Sequence, residues 1–170
     1  MKQIGILQGI VLFGYLFFQV IILKNAVLFH VAFCFFYLAY LLTLPVDLSK
    51  PLMMLAGFGI GFLVDIFYDS QGLHAMACVL LGYIRNYWLG ALTPQGGYDA
   101  NAVPAVAFFG VQWFVTYAAP LIFLHHLLLF YVEAGGFDYF WHTLAKVLAS
   151  TAFTLAVILI SQFVFPRRRL

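Results

Sequence analysis

Long runs of apolar residues, separated by short polar breaks, dominate the hydropathy pattern of this chain. A helix needs roughly 20 apolar residues to cross the hydrocarbon core of a bilayer, and about six stretches reach that length. They cover approximately residues 4–23, 26–44, 51–68, 72–92, 104–131 and 141–165. The stretches are continuously apolar and lack the alternation of barrel strands, so each is predicted to be a helix with internal backbone hydrogen bonds. The fold class predicted is an all-α membrane protein, a bundle of about six transmembrane helices.

Prolines mark the ends and the irregularities of these stretches. Pro45 ends the second stretch and Pro166 ends the last one, because proline cannot continue a helix. Residues 93–103 form the clearest loop, and Pro120 predicts a kink in the fifth stretch. An alternative with five spans, in which one weak stretch lies on the membrane surface, stays open.

Composition supports a membrane protein and excludes other classes. Hydrophobic residues make up 65% of the 170 residues and charged residues 8%, whereas soluble domains contain about 25% charged residues. The net charge of +2 is too small for a nucleic-acid-binding protein, and the arginines at residues 167–169 fit an anionic membrane surface. Cys34 and Cys78 lie inside apolar runs and are predicted to be reduced packing residues. Residues 1–170 are expected to form a single integral membrane domain.

The distribution of lysine and arginine predicts the orientation. An even number of spans places both termini on the same side. With the termini in the cytoplasm, the outer side holds only Lys24 and Lys146, in agreement with the positive-inside rule. The inner side then holds Lys2, Lys50, Arg85, Arg167, Arg168 and Arg169. We therefore predict a cytoplasmic N-terminus and a cytoplasmic C-terminus.

One face of the third stretch combines small residues with a carboxylate. Gly57, Gly61 and Asp65 follow one another at four-residue intervals, so on a helix they share a face. Small residues at this spacing allow a second helix backbone to approach closely. We expect a close helix contact at Gly57 and Gly61.

Asp65 and Asp69 lie near the C-terminal end of this predicted helix, where the helix dipole disfavours negative charge. The nearest favourable donors are the N–H groups of the following turn and of the next helix, which begins near Gly72. We therefore predict that Asp65 or Asp69 ties this turn to the fourth stretch, with His74 as a candidate partner. Asparagine should then largely replace Asp65. An interfacial carboxylate in contact with water, an ion carrier and a catalytic acid are the alternatives.

The other polar residues give no signature of catalysis. Arg85 is flanked by aromatic residues such as Tyr87 and Trp88, a combination typical of the membrane interface, and is predicted to reach towards the headgroups. The neighbours His125 and His126 diverge by about 100° on a helix, which is a poor arrangement for chelation. The sequence contains no motif for phosphate binding, zinc-dependent hydrolysis or a nucleophilic serine. We expect no enzymatic activity, no cofactor and no metal.

The third and fourth stretches resemble a known family. Residues 57–84 read GFGIGFLVDIFYDSQGLHAMACVLLGYI, which is similar to the pattern of the MreD family of rod shape-determining membrane proteins. The positions that carry the resemblance are Gly57, Gly61, Asp65, Gly72, His74, Ala75, Gly82 and Tyr83.

This resemblance implies a non-catalytic inner-membrane scaffold of the bacterial cell-elongation machinery, or elongasome. The expected partners are an MreC-type bitopic membrane protein, MreB filaments, peptidoglycan synthases and membrane lipid. The resemblance also implies a fold similar to the substrate-binding S-component subunits of transporters. A substrate-binding membrane subunit of a vitamin-type uptake transporter is therefore the alternative, and it requires a cavity with convergent polar side chains. A lipid-intermediate enzyme, the third option, requires paired carboxylates or a metal in a cleft.

The predicted orientation can be tested by labelling single cysteines in intact cells. A membrane-impermeant thiol reagent should label Asp138→Cys on the outer side and should not reach Asp99→Cys in the cytoplasmic loop. The parent chain, whose two cysteines lie in apolar runs, reports the background labelling. The opposite labelling pattern would show that the orientation is wrong.

Overall fold

The computed structural model describes residues 2–166, with the side chains from Gln8 onward, and most of this chain is helical. The arginines at residues 167–169 lie outside the described residues. The elements are α1 Lys2–Phe18, a π-helical turn Gln19–Leu23, strands β1 Val27–Leu28 and β2 Ala32–Phe33, and helices α2 Leu38–Leu42, α3 Lys50–Tyr68, α4 Leu73–Ala91, α5 Val106–Glu133 and α6 Phe140–Val164.

Three of the described helices, α3, α5 and α6, are long and apolar enough to cross a membrane, and the apolar helix Gln8–Leu23 is shorter. Large apolar side chains cover their outer surfaces. Leu55 on α3 and Phe163 on α6, for example, are both more than half exposed. Water would disfavour such a surface, whereas lipid chains would not. The structure therefore fits a membrane protein, and the bounds of α3 to α6 agree with the predicted stretches to within two residues.

The second apolar stretch is not a continuous helix, which corrects the prediction for residues 26–44. Its first half is an antiparallel hairpin of β1 and β2, in which Val27 pairs with Phe33, and its turn residues Phe29 and His30 have positive φ. Within this stretch only the five residues of α2 are α-helical. Hydropathy could not distinguish the two structures, because a buried non-helical segment is as apolar as a helix. The aromatic and β-branched residues at 27–37 favour extended backbone.

Two hydroxyl groups of α6 bond the backbone of this non-helical segment. The N–H of Phe33 donates to Ser150 Oγ (2.9 Å), and the N–H of Phe35 donates to Thr154 Oγ1 (3.1 Å). Non-helical backbone at membrane depth needs such partners, because lipid offers none. Ser150 and Thr154 are fully buried. Their hydroxyl groups replace two of the helical hydrogen bonds that this segment lacks.

The same segment leads the chain from one end of the bundle to the other. Near its start, Lys24 Nζ donates to Phe67 O (2.6 Å) beside the C-terminal end of α3. The side chain of Gln19 donates to Cys34 O (2.9 Å), which fastens the segment to the end of the first helix. After α2 the chain reaches Lys50, where α3 begins. The non-helical segment therefore runs the length of α3, from the end of that helix back to its beginning. The predicted number of about six spans stays a prediction, since three of the described helices meet the length and hydropathy of a span.

The interruption of α5 lies at Gly110 and not at Pro120, where the sequence predicts a kink. Gly110 has φ 80° and ψ 166°, angles that residues with a Cβ rarely adopt. Pro120 keeps helical angles but leaves the carbonyl of Thr116 without its helical N–H partner. The indole N–H of Trp88 donates to this carbonyl (3.3 Å), so α4 compensates for the proline.

Helices α3 and α4 approach so closely that a side chain would not fit at the contact. A Cβ on Gly57 would lie 2.6 Å from Cys78 O, and a Cβ on Gly61 would lie 2.5 Å from Ala75 Cα. Gly82 makes the corresponding approach from α4. The close helix contact predicted for these glycines is present, and the helix they meet is α4 of the same chain.

Replacing Gly61 by leucine should therefore destabilise the bundle. The new side chain would push the α4 backbone at Ala75 away, and we expect a loss of about 1–3 kcal/mol, as for other overpacked cores. Gly59→Leu is the matched control, because a Cβ on the exposed Gly59 meets nothing within 4 Å. Thermal unfolding in detergent should show a lower midpoint for Gly61→Leu alone, and equal midpoints for both variants would contradict this packing.

Candidate functional site

Asp65 joins α3 to the first turn of α4. Its Oδ1 accepts hydrogen bonds from the N–H of His74 (2.9 Å) and the hydroxyl of Ser70 (2.5 Å), and its Oδ2 accepts one from the N–H of Ala75 (2.9 Å). Gly72, which precedes α4, has no side chain that could bond these N–H groups. The buried carboxylate takes that role at the positive end of the α4 dipole. The predicted tie is present and uses the backbone of His74, not its ring.

Asp69 takes no part in these hydrogen bonds. It is exposed, ends α3 in the left-handed conformation (φ 55°), and its N–H donates to Asp65 O. Gly72 also has a positive φ of 93°. These left-handed residues reverse the chain, so that the first N–H groups of α4 face back towards Asp65. Of the two candidate acids, only Asp65 makes the predicted tie.

Arg85 is fully buried, which corrects its predicted position at the membrane interface. Its Nε donates to Tyr117 Oη (2.7 Å), and its terminal nitrogens donate to the carbonyls of Leu44 and Pro45. Tyr117 in turn donates to Leu42 O (2.8 Å). These carbonyls lie at the C-terminal end of α2, where the helix dipole favours a cation. Arg85 therefore holds the end of α2 against α4 and α5, and no carboxylate of the described residues pairs with it.

The centre of the bundle contains a cluster that sequence reasoning missed. The hydroxyl of Tyr37 lies 2.8 Å from His74 Nδ1 and 3.0 Å from His125 Nε2. Cys78 Sγ lies 3.7 Å from His125 Nε2, and the ring of Phe35 packs edge-on against both imidazole rings. All five side chains are buried. The cluster joins the non-helical segment to α4 and α5 at residues that are far apart in sequence.

His126, the neighbour of His125 on α5, bonds in a different direction. Its Nδ1 lies 2.7 Å from Ile122 O, which can only accept, so Nδ1 carries the proton. Its Nε2 is then an acceptor and lies 3.3 Å from the hydroxyl of Thr154, which itself accepts the N–H of Phe35. The single proton of that hydroxyl has a second candidate acceptor in Phe33 O, at 3.4 Å. Two adjacent histidines in an apolar helix were the one sequence signal that could have revealed a buried polar cluster.

The chemistry open to this cluster follows from its donors and acceptors. Tyr37 has one O–H for two imidazole nitrogens, so it donates to one and accepts from the N–H of the other. His125 Nδ1 is buried and has no hydrogen-bond partner among the described residues. Within residues 2–166, no group of three or more His, Cys, Asp or Glu side chains is arranged to hold a metal ion. The cluster connects three elements of the core by hydrogen bonds.

Comparison of the chain with known protein families, with characterised proteins and with solved structures gave no match. Functional proposals therefore depend on the contacts described above and on the residue pattern at positions 57–84.

The geometry at Asp65 changes the expectation for asparagine. Two backbone N–H groups bond two different carboxylate oxygens, and asparagine offers only one acceptor oxygen. Asp65→Asn should therefore be intermediate in stability between the wild type and Asp65→Leu. Leucine leaves both buried donors unpaired, at about 1–3 kcal/mol for each.

Thermal unfolding and membrane protein levels measure this order, and Asp69→Asn is the control for loss of a nearby exposed charge. Asp69→Asn should match the wild type. If Asp65→Leu unfolds at the wild-type temperature, the carboxylate does not stabilise the start of α4.

Proposed function

We propose that this chain is a non-catalytic scaffold of the bacterial rod-shape machinery, which lies in the inner membrane and binds an MreC-type protein. The observation that carries the proposal is that the MreD-like residue pattern forms one structural unit, the pair of helices α3 and α4. Gly57 and Gly61 lie where these helices touch, and Asp65 bonds the start of α4. Residues that serve helix packing support a structural role better than a catalytic one.

The use of polar side chains in the core also favours a scaffold over an uptake subunit. Asp65 and Arg85 bond backbone groups of their own chain, and Tyr37 bonds His74 and His125. A substrate-binding subunit requires polar side chains that converge on a cavity. The buried polar groups here are instead bonded to backbone groups or to one another. The surface groove between α3 and α4 is lined mainly by apolar residues, such as Phe62.

In this proposal the chain passes the membrane six times and both termini are cytoplasmic. The second pass is the non-helical segment at residues 26–44, enclosed by helices. The loops at residues 44–49 and 92–105 lie together, since the N–H of Val46 donates to Ala102 O (2.8 Å). They form the cytoplasmic face that MreB filaments would meet, while the apolar outer faces of α3, α5 and α6 meet lipid and the transmembrane helix of the MreC-type partner.

The test is co-expression of the tagged chain with the MreC-type protein encoded in the same genome. The two proteins should co-purify in mild detergent, and depletion of the chain should turn rod-shaped cells into spheres. An unrelated bitopic membrane protein of similar length is the negative control, and Gly59→Leu should retain the complex.

If the folded chain forms no complex with the MreC-type protein, and depletion leaves the rod shape normal, the scaffold proposal is wrong. Co-purification with energy-coupling transporter subunits and retention of a vitamin would instead support the uptake alternative.

A further inference from the structure

A surface groove lies between the C-terminal end of α5 and the first turns of α6. It has a volume of about 540 Å³. The residues that line it include Phe130, Glu133, Tyr139, His142, Thr143 and Lys146. It is separate from the Asp65 contacts and from the Tyr37 cluster, and no step of the scaffold proposal uses it.

Aromatic side chains place this groove at the membrane surface. Helices α5 and α6 are both long and apolar enough to span a bilayer, and the groove lies where they meet at one end. Phe137, Tyr139 and Trp141 surround this end, and each is more than 70% exposed. Exposed aromatic residues at the end of a spanning helix are typical of the headgroup level. The groove therefore opens at the level of the lipid headgroups.

The groove contains one ammonium group with unused donors. Lys146 Nζ donates to Glu133 Oε2 (2.7 Å) and lies over the rings of Phe130 (4.2 Å) and Phe33 (4.7 Å). A lysine ammonium has three N–H donors, and Glu133 is its only hydrogen-bond partner among the described residues. The aromatic rings stabilise the positive charge without taking a donor. Two donors remain for an anion that enters the groove.

Two further donors stand beside this ammonium. His142 and Thr143 precede Lys146 by four and three residues on α6, so all three share one helix face. A neutral imidazole has one N–H, and the threonine hydroxyl has one O–H. His142 and Thr143 lie in the first turn of α6, where the helix dipole favours negative charge, and Lys146 follows one turn later. This arrangement suits a phosphate group.

A carboxylate borders the same groove. Glu133 is about half exposed and uses one oxygen for Lys146, so the other is free to accept from a cationic group. A purely anionic headgroup would be repelled by this carboxylate, whereas a headgroup with a phosphate and a primary ammonium matches both charges. We propose that the groove binds the headgroup of a phosphatidylethanolamine lipid, with its phosphate at Lys146, His142 and Thr143 and its ammonium at Glu133. The choline headgroup has no N–H and cannot donate to Glu133.

Native mass spectrometry of the full chain in detergent can measure this preference. Phosphatidylethanolamine, phosphatidylcholine and phosphatidylglycerol with identical acyl chains are added separately at equal concentration. We expect phosphatidylethanolamine to bind about tenfold more tightly than phosphatidylcholine, the usual effect of one charge-assisted hydrogen bond. Lys146→Gln should weaken the binding of phosphatidylethanolamine. Glu133→Ala removes both the charge and the acceptor oxygens, so it should remove the advantage of phosphatidylethanolamine over phosphatidylcholine and phosphatidylglycerol.

Asp138→Asn, which changes an exposed acid near the same end, and Lys24→Gln are the matched controls and should bind lipid as the wild type does. Thermal unfolding shows that each variant is folded. Equal binding of the ethanolamine and choline lipids by the wild type would overturn the proposal, and this comparison needs no variant. Tighter binding of phosphatidylglycerol, or an unchanged preference in Glu133→Ala, would overturn it as well.

Discussion

In a lipid environment every backbone N–H and C=O group needs a partner within the protein, and this requirement organises the whole structure. A long helix meets it internally, but the segment at residues 26–44 does not. Its backbone therefore depends on Gln19, Ser150 and Thr154, which reach it from the first and last helices. The non-helical segment therefore explains why these polar side chains occur in apolar helices.

The same requirement explains the two buried charged residues. Asp65 bonds N–H groups at the start of α4, and Arg85 bonds carbonyls at the end of α2. Each charge thus lies at the helix end whose dipole has the opposite sign. Removal of a charge from water is costly, and an ion pair recovers that cost only with very good geometry. Here each charge is paired with backbone groups of fixed position, which also joins two elements that are separate in sequence.

Sequence reasoning succeeded where the contacts are local and failed where they are distant. Asp65 and the N–H donors at the start of α4 are about ten residues apart, so helix geometry and the dipole were enough to predict their tie. Arg85 contacts carbonyls 40 residues away, and its aromatic neighbours in sequence suggested an interface instead. Hydropathy found the apolar segment at 26–44 but carries no information on whether its backbone bonds internally or to other elements. The break in α5 depends on the angles of Gly110, which composition does not reveal.

The core also indicates where other molecules can act on this protein. Asp65, Arg85 and Thr154 are already bonded to backbone groups, and Tyr37 is bonded to two histidines. A ligand that entered the core would have to break these contacts, and each broken contact would leave a buried polar group without a partner at a cost of about 1–3 kcal/mol. The outer helix faces and the grooves at the surface carry no such cost. A core of this kind supports the proposed scaffold, which binds partners on its outside, over an uptake subunit that encloses its substrate.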